Sequence, residues 1–219
     1  LVVRNVSFEW LGTDTPPPGG LPLTYAYRLD PIEPGFSAFG AATANQAICQ
    51  VDSEFGKYLE MKTAEKGVLI EGWFQIGARH VTNNKRPIKT VEDIKGLKIR
   101  TPSGESWDLT FRALGANPQA MDIREVYSAM EQKVLDGHEN PYNLIFDSRF
   151  FEVQKYVSNT AHFFDFIAVV ANRKKFQALS SEHQKAIKTA MDKAVATQRV
   201  EAAKADAVAL VELQKKGMQ

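Results

Sequence analysis

Nothing interrupts the helical spacing of apolar positions between Ser181 and Gly217, and Ser181 with Gln184 has the spacing of a capping box. A helix of about 35 residues is about 50 Å long, longer than one small domain is wide. It should bridge two lobes or project toward a partner, with two helices joined at a kink as the alternative. Upstream the rhythm changes. Residues 68–74 form a short, nearly continuous apolar run suited to a buried strand. Residues 97–101 alternate apolar and polar before Pro102, and residues 163–171 read as a third strand.

Between these runs lie helix signals. Asp52 or Ser53 can cap a helix reaching about Lys66, with Gly67 as its stop. Thr90-Val91-Glu92-Asp93 resembles a capping box opening one or two turns that Gly96 ends. Residues 107–114 are helical and end at Gly115. Residues 123–135 make an amphipathic helix, with Val126, Met130 and Val134 on one face and Gly137 as the stop. Helices alternating with short strands predict an α/β fold with a mixed or parallel sheet.

The first 48 residues break this regularity. Six of the ten prolines fall by Pro34, and Pro16-Pro17-Pro18-Gly19-Gly20 suits neither helix nor central strand, so it reads as a loop or linker. Residues 1–10 read as one strand.

Composition narrows the function. Hydrophobic residues are 44% and charged residues 24%, enough for a proper core in a soluble globular protein. A net charge of +1 offers no electrostatic footprint for phosphate backbones, so no nucleic-acid partner is expected. The single cysteine, Cys49, excludes an intrachain disulfide and a multi-cysteine metal site. The longest apolar run is far below the roughly 20 residues of a membrane span. No basic-then-apolar leader opens the sequence, as expected where a signal peptide has been removed or lies outside it.

Candidate chemistry sits at strand ends. Arg100 closes the 97–101 strand before Pro102 and Gly104, where open α/β sheets collect ligands. Its guanidinium offers a planar fork that matches a carboxylate. Arg79 follows the 68–74 strand beside Gly77. For either arginine alone, a solvated loop residue is the bland alternative. Asn140 precedes Pro141 and is pushed into an extended conformation, where its amide can donate to and accept from a ligand oxygen or simply make a turn. Catalytic constellations do not assemble. His80, His138, His162 and His183 lack zinc spacing, and no nucleophile elbow or phosphate-cradling loop appears. His138-Glu139 is the one candidate acid/base pair, for a small hydrolase or isomerase, but adjacent residues of an extended segment point opposite ways.

Several motifs recur in a fixed order: Arg79-His80-Val81-Thr82-Asn83, Arg86-Pro87-Ile88, Asp93-Ile94-Lys95-Gly96-Leu97-Lys98-Ile99-Arg100-Thr101-Pro102, Leu114-Gly115-Ala116-Asn117-Pro118, Glu125-Val126-Tyr127, Asp136-Gly137-His138-Glu139-Asn140-Pro141 and Phe151-Glu152-Val153-Gln154-Lys155-Tyr156. In this order and spacing the chain, from about residue 51 to 217, resembles the DctP-type solute-binding proteins of TRAP transporters. The resemblance implies a two-lobed periplasmic-binding-protein fold (type II-like) whose long C-terminal helix spans the lobes. It implies a periplasmic, non-catalytic monomer without cofactor or metal. Such a protein captures a small organic carboxylate, dicarboxylates included, and delivers it to TRAP membrane permease subunits. A ligand-sensing module that signals to another partner is the alternative.

By the same resemblance Arg100 is the carboxylate clamp and Arg79 the second ligand arginine. Asn140 and Glu139 belong to the Glu-Asn-Pro motif, and Ile123 stands where an aromatic usually packs on the ligand. His138 replaces a usual Gln. The family's opening strand–helix–strand is not found in residues 1–50, which are expected to be the remnant of an incomplete lobe 1. Residues 51–219 are then the solute-binding region, with lobe 2 at about 79–172 and the helix at 180–216 bridging back to lobe 1.

Overall fold

A computed structural model describes residues 2–5 and 51–219, and in it two long strands organise everything else. Strand β1 (Val2–Asn5) is followed by α1 (Glu54–Glu65), β2 (Val68–Asn83), β3 (Lys98–Thr101), α2 (Glu105–Ala113), β4 (Asn117–Ala120) and α3 (Ile123–Glu131). Then come β5 (Gly137–Asn140), α4 (Tyr142–Asp147), β6 (Tyr156–Asn172), α5 (Arg173–Gln177) and α6 (Ser181–Lys215). The sheet order is β1-β6-β2-β5-β3-β4; the β5–β3 and β3–β4 pairs are parallel and the rest antiparallel, a mixed α/β sheet.

Strands β2 and β6 pair from Val68↔Asn172 to Asn83↔Tyr156, a ribbon about 50 Å long at roughly 3.3 Å per residue. Register shifts at Ile70/Gly72, Gln75/Gly77 and Arg79/Val81 divide it into two halves. The half bearing β1 packs Trp73 and Ala168 with Val51 and, through partly buried contacts, Leu59 of α1. The half bearing β5, β3 and β4 is covered on one face by Trp107 and Phe111 of α2. Val126 and Met130 of α3, Ile145 of α4 and Leu213 of α6 form its second core cluster. Helix α6 crosses both halves. Near its middle the Gln198 side chain bonds the backbone of Gln75 in both directions, at 2.9 and 2.7 Å, while its end buries Leu213 completely.

Several local readings need correction. The 68–74 run continues to Asn83, because Gln75, His80, Thr82 and Asn83 break the apolar pattern yet stay in the ladder and are buried. Likewise β6 begins at Tyr156 rather than at residue 163. Gly137, read as a helix stop, opens β5; a Cβ there would lie 1.8 Å from the Thr82 carbonyl oxygen. The helix from Ile123 ends at Glu131, Lys133 turns the chain at φ 61°, and Val134 is 54% exposed instead of completing the buried face. The C-terminal helix is one continuous run of 35 residues, capped by Ser180, which accepts from the His183 N–H at 3.2 Å. Strand β1 falls within the strand expected at residues 1–10; Cys49 and the Pro/Gly-rich run lie outside the described residues.

Candidate functional site

Where β2, β5 and β6 meet, Arg79, Glu139, Asn140, His162 and Asp165 share one cluster. Arg79 follows Gly77, whose φ of 125° suits a glycine at the register shift that aims Arg79 across the sheet. Its Nε donates to Glu139 Oε2 at 2.5 Å, and one terminal nitrogen donates to Glu139 Oε1 at 2.6 Å. The same nitrogen also reaches Asn140 Oδ1 at 3.0 Å, and the other donates to Asp165 Oδ2 at 2.8 Å. The Trp107 ring lies 5.9 Å from the guanidinium carbon. His162 Nε2 sits 3.1 Å from Glu139 Oε2, and its Nδ1 is 2.8 Å from Thr160 Oγ1.

Electrostatics explain why these charges tolerate burial. Burial alone would lower the Arg79 pKa, but the Glu139 carboxylate, with Asp165, outweighs it and raises the value. Burial would raise Glu139, yet Arg79 and the hydrogen bond from His162 pull it down to about 2. Asp165 goes the other way. Burial dominates, Glu139 adds to it, and Arg79 does not fully offset them, so its pKa is raised.

Arg100 stands in a different condition. It is 5% exposed, and its Nε donates to the Met121 carbonyl at 2.8 Å. Among the described residues no carboxylate forms a salt bridge with it; Asp122, beside Met121, pairs with Arg124 at 2.9 Å instead. Burial pushes its pKa down to about 10, reinforced by Arg79 and opposed by the nearby carboxylates of Glu139 and Asp122. Asn140 leaves its amide nitrogen buried and, among the described residues, without a hydrogen-bond partner.

The structure therefore brings Arg79, Glu139 and Asn140 into direct contact and places Arg100 within their field. Ile123 is at the first turn of α3, 42% exposed, next to the Asp122 N-cap. His138 and Glu139 do not form an acid/base pair. His138 Nδ1 lies 2.5 Å from Thr82 Oγ1 and the ring abuts Phe150, whereas Glu139 engages Arg79 and His162. Burial, with help from both arginines, outweighs the opposing Glu139 carboxylate, lowers His138 to about 3 and keeps it neutral. Asp165 and His162 were missed as site residues. An aspartate inside the apolar 163–171 run is the signal that finds the first, since a buried carboxylate requires a cation. Among the described residues no cluster of His, Cys, Asp and Glu suits a metal ion, and no helix is long and apolar enough to cross a membrane.

Comparison with known proteins gives the family of the chain. The family described as Bacterial extracellular solute-binding protein, family 7, matches residues 38–219. The 2,3-diketo-L-gulonate-binding periplasmic protein YiaO of Escherichia coli is 38% identical over 149 residues, 68% of this chain and 45% of that protein. A TRAP periplasmic solute-binding protein from Ochrobactrum anthropi is 36% identical with a TM-score of 0.75, covering 81% of this chain and 55% of its own. One from Sulfitobacter with bound β-D-galacturonate is 29% identical with a TM-score of 0.78, covering 81% and 59%. The chain thus spans about half the length of the curated relatives it matches.

Proposed function

The chain belongs to bacterial extracellular solute-binding protein family 7, and from that premise we propose that it captures a small monocarboxylic sugar acid in the periplasm, as a monomer, for delivery to a TRAP membrane permease. The observation that carries this reading is Arg100, a buried cation without a carboxylate partner among the described residues. An arriving carboxylate supplies the missing counter-charge, a charge-assisted interaction of about 1.5–3 kcal/mol. Asn140 adds a buried N–H donor suited to an oxygen near the acid group. Residues 79–172 are the lobe that presents these groups, α6 is the bridge to the other lobe, and Ile123 forms part of the wall.

Charge balance favours one acid group over two. Arg79 already has Glu139 and Asp165 as salt-bridge partners, and only Arg100 lacks one among the described residues, so a dicarboxylate's second acid group would find no unpaired cation there. Solved relatives hold such monoacids: galacturonate, glucuronate and erythronate. A thermal-shift screen over D-galacturonate, D-glucuronate, D-erythronate, lactate and succinate tests the proposal. A cognate acid at 100 times its Kd should stabilise the protein by about 2.7 kcal/mol. Succinate alone shifting the transition would sink the monoacid reading, and no shift with any acid would sink capture itself.

A further inference from the structure

We propose that Asp165 occupies, on Arg79, the place of a ligand carboxylate, so that acid capture displaces it. This inference rests on the acid-capture reading above. Arg79 gives its Nε and one terminal nitrogen to Glu139, and that terminal nitrogen also reaches Asn140; the remaining terminal nitrogen is held by Asp165 at 2.8 Å. Glu139 is wholly buried and fixed by Arg79 and His162, whereas the Asp165 side chain is 17% exposed and, among the described residues, its hydrogen bond to the cluster is the one from Arg79. A second carboxylate can therefore reach the Arg79 fork only where Asp165 now sits.

Asp165 faces Arg79 on β2 across the register shift, where it pairs with Gly77, and lies in the field of Glu139 on β5 and His162 on its own strand. Release of Asp165 from Arg79 removes the main interaction that favours its ionised form and leaves only the weaker influence of His162, while burial and Glu139 continue to oppose ionisation. Displacement is accordingly coupled to uptake of one solvent proton by the Asp165 carboxyl. The incoming anion and that proton leave the net charge of the cluster unchanged. Acid affinity then falls as pH rises above the Asp165 pKa, because the competitor regains its charge.

Calorimetry of the wild type, Asp165→Asn and Asp165→Ala with D-galacturonate and D-glucuronate, at pH 5 to 8 in buffers of differing ionisation enthalpy, tests this. The wild type should take up protons on binding, up to about one per acid, over the same pH interval in which its affinity weakens as pH rises. Both variants should bind about tenfold more tightly at pH 8, with no linked proton and a flat profile. Equal binding and equal pH profiles in wild type and variants would overturn the displacement while leaving acid capture standing. No heat with any protein would overturn both.

Discussion

The two buried arginines occupy neighbouring ground under opposite conditions. Arg79, at the crossing of β2, β5 and β6, spends its guanidinium on Glu139, Asn140 and Asp165, whereas Arg100, at the end of β3, has one backbone carbonyl and no salt bridge among the described residues. Both are largely hidden from water, Arg79 the more deeply, and what separates them most is counter-charge. A buried ion whose partners are present is part of the fold, and removing a partner exposes the desolvation cost of the other. A buried ion without a partner is a standing cost that only an incoming anion relieves. The contrast assigns to the Glu139 side of the first region a fixed part of the fold, and to Arg100 the counter-charge that an acid must supply.

The largest expected effect breaks the first region. Glu139→Gln leaves Arg79 short of its main counter-ion and should cost about 3–5 kcal/mol of folding stability, measured by urea denaturation. Arg100→Met should do the reverse of what its burial suggests. With no ion pair to lose, the variant should be at least as stable as the wild type without ligand, and a cost matching that of Glu139→Gln would reveal a hidden counter-ion.

Acid should weaken the first region in two stages. His80, stacked on Tyr142 at 3.9 Å, and His138 are both held neutral by burial, with folded values of about 3. The unfolded chain binds their protons first, so stability falls as pH drops below about 6.5, the ordinary histidine value. Glu139, depressed to about 2, contributes stability present above the ordinary carboxylate value and lost as pH falls toward 2. Denaturation midpoints across pH 2 to 8 should show both stages, and Glu139→Gln should lack the lower one. The smallest effect belongs to the rim. Ile123→Phe, at a half-exposed position, should leave stability within about 0.5 kcal/mol and change acid affinity only severalfold.

Legibility from sequence followed the same division. Arg100 was readable as a strand-end cation because a short alternating strand, a proline stop and an arginine coincide within a few residues, but that local pattern equally fitted a solvated loop residue, and its burial was not readable. Helices with both caps present, such as α1 between Ser53 and Gly67, were readable for similar local reasons. The Arg79 cluster was not readable as a unit, because its partners lie 60 and 86 residues away and their pairing depends on sheet register. Strand β5, Gly137-His138-Glu139-Asn140, escaped the hydrophobic pattern altogether. It is polar in sequence but buried at every position, and its polar groups are mostly matched by neighbours that only the folded sheet supplies. Val134 erred in the other direction: its apolar character fitted a helix face, but Lys133 had already ended the helix.

The most direct test of Arg100 as the carboxylate clamp is isothermal calorimetry with the acid that gives the largest thermal shift, comparing wild type, Arg100→Ala and Arg100→Lys at one pH. Loss of a bidentate charge-assisted contact of about 1.5–3 kcal/mol should weaken Arg100→Ala by at least about tenfold. Arg100→Lys should recover only part, since a point charge lacks the fork. Unchanged affinity in a folded Arg100→Ala protein would contradict the account at its centre.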